Sequence, residues 1–137
     1  MDEKLKKPDT TEKQNKALSL FEGDYNCSQS VFAALVAGEG LSEDEALKVA
    51  TAFGGGMGRR QHTCGAVTGA LMALGYFKGK GKNDANENKT LTYDLTNEFF
   101  TEFEHLHGSS RCLDLLDGLN MNDQEDYLKL LEKGYFK

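Results

Sequence analysis

The chain has 137 residues, 16 basic against 22 acidic, for a net charge of −6. That balance argues against a general nucleic-acid binder or a binder of anionic membranes. The length suffices for a buried core without structural metals or disulfides, and one proline and no tryptophan suit helices.

Residues 1–11 read as a loose polar arm. Met1 to Lys16 lacks an apolar core segment, so neither a secretory signal nor an anchor is expected, and the expected compartment is the cytoplasm. A first helix is predicted over Lys13–Glu22, with Ala17, Leu18 and Phe21 on one face and Gly23 as its stop. Asn26 with Gln29 three positions later is a variant capping box, placing Cys27 at the first position of a second helix. Its apolar stripe continues through Val31, Ala34 and Leu35 to the stops Gly38 and Gly40. Ser42 and Glu45 cap a third helix with Ala46, Val49, Ala50 and Phe53 at helical spacing.

Phe53–Gly75 then concentrates the unusual chemistry. Gly54, Gly55, Gly56 and Gly58 form a permissive loop carrying Arg59, Arg60 and His62, and Thr63 is a candidate cap that puts Cys64 at the first helical position. Unpaired amides and the positive end of the helix dipole there favour an anion or a thiolate. The fourth helix, Cys64 to about Phe77, is expected to be central. Val67, Leu71 and Leu74 form its stripe, and Gly65, Gly69 and Ala73 leave room for a neighbouring helix. Its apolar run is too short to span a membrane, which takes about 20 residues. Lys78–Lys89 reads as an exposed loop without a site role. A fifth helix, Thr90–His107, carries Leu91, Leu95, Phe99, Phe103 and Leu106. Ser109 caps a short sixth helix with Cys112 in its first turn, and Asn122 with Glu125 opens a last helix with Leu128, Leu131 and Tyr135 on one side.

The expected fold is thus an all-α compact helical bundle of six or seven helices, a single domain over residues 1–137. All three cysteines stand at helix starts, where a thiol's pKa falls. Against this, a free cysteine is often a small buried hydrophobe. In an up-and-down bundle alternate helices begin at the same end, so Cys27, Cys64 and Cys112 are expected to cluster around the Gly54–Gly58 loop. His62 is a candidate fourth metal ligand or proton carrier for Cys64, whereas His105 and His107 are spaced badly for a shared ligand. The glycine loop is a candidate phosphate cradle but not a Walker A loop, because no Gly-Lys-Ser/Thr follows.

Asn26-Cys27-Ser28-Gln29-Ser30, Phe53-Gly54-Gly55-Gly56-Met57-Gly58-Arg59, Cys64-Gly65-Ala66-Val67-Thr68-Gly69-Ala70 and Gly108-Ser109-Ser110-Arg111-Cys112 together resemble the C_GCAxxG_C_C family of redox-active proteins. The resemblance implies a small protein active through four cysteines, with no established substrate. Three of them match Cys27, Cys64 and Cys112, and the fourth has no match in a sequence that stops at Lys137. The resemblance also implies a glycine near position 61, where this chain has Gln61.

Two functions follow from different classes. One is a thiol redox or electron-transfer protein with an unknown redox partner, in which Cys64 is the activated thiolate, Cys27 or Cys112 resolves, and Arg59 steadies the anion. The other is a cofactor- or metal-binding module with Cys27, Cys64, Cys112 and His62 around a thiolate-bound metal, or a cofactor on Gly54, Gly55, Gly56, Gly58 and Arg59. A non-catalytic oligomerising domain with structural cysteines is the third reading, and a homodimer is compatible with all three.

Overall fold

A computed structural model describes residues 11–134. Among them the chain forms seven α-helices and no strand: α1 Thr11–Glu22, α2 Cys27–Val36, α3 Glu43–Ala50, α4 Gly65–Lys78, α5 Glu87–His107, α6 Cys112–Leu115 and α7 Gln124–Lys133. Residues 51–53 tighten into a 3-10 turn after α3. None of these helices is long and apolar enough to cross a membrane. The expected arm falls largely outside the described residues, as does Tyr135, while Thr11 already belongs to α1.

The caps act where local chemistry demands them. Asn26 accepts from the Gln29 amide while the Gln29 side chain accepts from the Asn26 amide, so two helix-start donors are satisfied reciprocally. Ser42 caps α3 by accepting from the Glu45 amide, half of the expected box, since the Glu45 carboxylate accepts from the Ser42 hydroxyl instead of its amide. Gly108, at φ 84°, ends α5 in the left-handed conformation. At α7 the cap is Asp123, which accepts from the Asp126 amide, one position beyond the expected Asn122.

The hub of the fold is α2 rather than α4. Ser28, Ser30, Phe32, Ala33, Ala34 and Val36 are all buried, and α1, α3 and α4 pack around it. Phe32, Ala33 and Val36 join Leu20, Ala46, Ala50 and Ala73 in the main core. The polar members are satisfied locally: Ser30 Oγ donates to the Asn26 carbonyl, and Ser28 Oγ meets Thr68 Oγ1 on α4 at 3.4 Å. Helix α4 packs on α2 through its small residues. A Cβ on Gly69 would lie 2.8 Å from the Ser28 carbonyl oxygen, so the two backbones touch there. Val67 is fully buried, and Leu71 and Leu74 are half-buried.

Two expected faces are rotated, those of α1 and α7, whereas α3 buries Ala46 and Ala50 in the core as expected and turns out only Val49, 54% exposed. In α1 Leu20 is buried and Leu18 is 59% exposed. In α7 Leu130 is fully buried while Leu128 and Leu131 are exposed. Each helix carries enough apolar residues to draw two stripes, and the neighbouring elements choose between them. For α7 the choice is a second apolar cluster, in which Leu130 and Tyr127 pack with Met121, Leu116, Leu119 and Cys112.

Candidate functional site

The site forms where α2, α4 and α6 begin. Cys27 is the first residue of α2, as expected. Cys64 is the cap of α4 rather than its first helical residue, because Thr63 is drawn into an antiparallel bridge with Arg111. That bridge also moves the start of α6: Arg111, not Ser109, is its cap, and Cys112 is its first residue. Ser109 instead accepts from the Arg111 amide at 3.0 Å.

The bridge ties two cysteines together through the backbone. The Cys64 amide donates to the Ser110 carbonyl at 2.7 Å, and the Cys112 amide donates to the His62 carbonyl. Cys27 arrives from the other side. A Cβ on Gly65 would run into Cys27 Sγ and would lie 2.9 Å from the Ser28 amide, so the missing side chain is what lets that sulfur rest on the start of α4.

All three cysteines are free thiols, Cys112 buried and the others half-buried. Neighbouring sulfurs act on two of them. Burial is the largest influence on Cys64 and pushes its thiol above the ordinary 9.0; the Ala66 amide pulls it down, Cys27 pushes it up again, and the Val67 amide pulls it down. No cap hydrogen bond to the Cys64 side chain closes. Cys112 is pushed up to about 12 by burial first, then by Cys64 and Cys27. The expectation of an activated Cys64 thiolate is therefore corrected: the helix start does favour the anion, but desolvation outweighs it. Neither Arg59 nor Arg60 is among the groups acting on Cys64 or Cys112, and both are exposed.

The glycine loop is wound the opposite way from its neighbours. Gly55, Gly56, Met57, Gly58 and Arg59 all have φ between 57° and 71°. Only the glycines adopt this freely; Met57 and Arg59 each bear a cost of roughly 1–2 kcal/mol. Six successive amides, Met57 to His62, donate to carbonyls of Ala52, Phe53, Gly54, Gly55, Gly56 and Met57. Those amides are thus spent on the loop itself and are not presented to a phosphate. Gly54 lies against the Asn26 side chain, whose Nδ2 donates to the Thr51 carbonyl at 3.0 Å, so the loop leans on the cap of α2.

Gln61 is the residue that sequence reasoning undervalued. Its φ is 58°, the conformation in which glycine is free of strain, and its side chain is 4% exposed. Nε2 donates to the Leu119 carbonyl at 2.8 Å, Oε1 accepts from the Met121 amide at 3.0 Å, and its own carbonyl accepts from the Leu113 amide. One side chain thereby clamps the segment that follows Cys112 onto the loop that precedes Cys64. A lone glutamine in a glycine loop carries no spacing signal for this.

His62 contributes its backbone, and its side chain is exposed. Among the described residues no group of three or more His, Cys, Asp or Glu side chains is arranged to hold a metal ion. The set Cys27, Cys64, Cys112 and His62 is accordingly not assembled as a metal site. His105 and His107 lie exposed in the last turn of α5, His107 against the Phe103 ring at 4.5 Å.

The family model described as "Putative redox-active protein (C_GCAxxG_C_C)" matches residues 25–133. The chain belongs to this family. Its match starts just before the cap of Cys27 and ends with α7, so it contains all three cysteines, the glycine loop and the Gln61 clamp. An uncharacterized protein of Archaeoglobus fulgidus is 28% identical over 126 residues, covering 87% of this chain and 83% of that protein. No solved structure matches the chain.

Proposed function

We propose that this member of the C_GCAxxG_C_C family is a thiol–disulfide redox protein in which Cys27 attacks and Cys64 resolves. The observation that carries the reading is the seat of Cys27 Sγ on Gly65, immediately beside Cys64. The push of Cys27 on Cys64, and of both on Cys112, supports it, because only neighbouring charges act in this way. Membership of a family described as redox-active agrees with it.

The assignment of roles follows from burial. Cys112, pushed up to about 12, stays a thiol throughout the neutral range, and Cys64 is also held from ionising. Cys27 is half-buried at the first position of its helix, with its sulfur on the start of α4. Its thiolate attacks a disulfide of the redox partner, forming a mixed disulfide and expelling one partner thiolate. Cys64 then loses its proton to solvent and displaces the second partner sulfur. The products are a Cys27–Cys64 disulfide and two partner thiols, so two electrons and two protons leave the protein.

The roles separate in variants. Cys64→Ser should trap the mixed disulfide with a small disulfide such as oxidised glutathione, visible as a stable mass adduct on Cys27. Cys27→Ser should form neither adduct nor internal disulfide. If Cys27→Ser reacts as fast as the wild type, the assignment is wrong.

A further inference from the structure

The longest helix is also the least buried. With 21 residues α5 is about 31 Å long, and Leu91, Leu95, Phe99 and Phe103 recur at every fourth position, yet none of its residues is buried. Between α4 and α5 runs an open groove of about 600 Å³, lined by Ala70, Leu71 and Leu74 on one side and Leu95 and Phe99 on the other. Leu91 and Leu106, near the two ends of the helix, are 47% and 71% exposed. An amphipathic helix gains its stability by burying its apolar stripe, and a patch of this extent marks an interaction surface.

We propose that this face is covered by a second copy of the chain, placed by a two-fold axis across the middle of α5 so that the two α5 helices run antiparallel. Charge along the helix selects this occupant. Lys78 to Lys89 holds Lys78, Lys80, Lys82 and Lys89 against Asp84 and Glu87. The Thr92 hydroxyl donates to the Lys78 carbonyl at 3.2 Å, which lays this basic segment on the start of α5. From Asp94 to His107 the helix carries Asp94, Glu98, Glu102 and Glu104 and no lysine or arginine. An antiparallel pair sets basic end on acidic end twice, whereas a parallel pair sets acid on acid. The ion pairs found among the described residues, Lys16–Glu43, Lys48–Asp44 and Lys133–Asp117, involve none of these charges.

The apolar register is self-complementary as well. Centring the axis between Leu95 and Phe99 sets Leu95 of one copy opposite Phe99 of the other, and Leu91 opposite Phe103. The same register brings Glu102 opposite Thr92, beside the Lys78 backbone. Helix α5, about 31 Å long, and the 14-residue α4, about 21 Å long, are each about 10 Å wide, so the strip covers on the order of 500 Å² per copy. Two copies together reach the roughly 1,000 Å² that a specific interface needs.

The test is the mass of the full chain in solution, by light scattering on a size-exclusion column across the micromolar range, with reductant present to exclude disulfide-linked species. The chain weighs 15.1 kDa, so the dimer weighs about twice that. Phe99→Glu should raise the dimer dissociation constant at least about tenfold while the circular dichroism stays helical. Should that variant not fold, Lys78→Glu and Glu102→Lys should each weaken the dimer severalfold at low salt, and combining them should restore it. A monomer at every concentration overturns the proposal, as does a dimer indifferent to all of these changes.

Discussion

Replacing the glycines of α4 one at a time by alanine tests the contact between α2 and α4, which seats Cys27. Inside a helix the exchange gains about 0.5–1 kcal/mol, from propensity and from a less free unfolded chain. At Gly75 no atom lies within 4 Å of an added Cβ, so Gly75→Ala should keep that gain. At Gly69 the Cβ would lie 2.8 Å from the Ser28 carbonyl oxygen, 3.2 Å from Val31 Cβ and 3.3 Å from the Phe32 amide. Backbone cannot rotate aside, so α2 must back away. Overpacking of this kind costs typically 1–3 kcal/mol, which outweighs the propensity gain and leaves a net loss of roughly 1–2 kcal/mol. Gly65→Ala meets the Ser28 amide at 2.9 Å as well as the Cys27 sulfur, so it should lose a similar amount and also displace the attacking thiol. Urea unfolding of the reduced protein reads these differences as shifts in midpoint at constant slope. A Gly69→Ala variant as stable as the wild type, or a destabilised Gly75→Ala, would refute the close contact between the two helices.

The clamp and the buried thiol give two further expectations. Gln61→Ala removes both hydrogen bonds to residues 119–121 and leaves the Met121 amide without its partner, a loss of about 2–3 kcal/mol with faster hydrogen exchange at that amide. Gln61→Gly should recover roughly 1 kcal/mol of it by relieving the left-handed φ, so glycine worse than alanine would contradict the strain. Cys112 titrates in the folded chain near 12 against an ordinary 9.0. Its protonated form is the one the fold accommodates, so its contribution to stability is complete below about pH 9 and is lost as pH rises towards 12. Cys112→Ser should flatten that alkaline decline, measured by unfolding between those pH values, and an unchanged decline would show that another group causes it.

The helix starts were legible because their signals are local. Asn26 with Gln29 and Ser42 with Glu45 need only three residues of chain to act. The meeting of α2 with α4 was foreshadowed by Gly65 and Gly69, whose spacing leaves one side of a helix bare. What escaped depends on contacts distant in sequence. The Thr63–Arg111 bridge spans 48 positions and shifts the caps of both Cys64 and Cys112. The Gln61 clamp reaches 58 positions ahead from a backbone conformation that a glutamine does not advertise. The rotated faces of α1 and α7 were decided by their neighbours. For Cys64, helix-start position suggested a lowered pKa, but the depth of burial that reverses it is a property of the packed fold.

The central claim is that Cys27 and Cys64 exchange a pair of electrons as one disulfide. Its most direct measurement is peptide mapping by mass spectrometry after equilibration in glutathione buffers of graded potential, with free thiols alkylated at each step. The expected result is a two-electron transition in which a Cys27–Cys64 linked peptide appears, Cys112 stays alkylatable after unfolding, and reductant restores all three thiols. Three thiols that remain free across the whole series, or a linked pair that excludes Cys27, would contradict it.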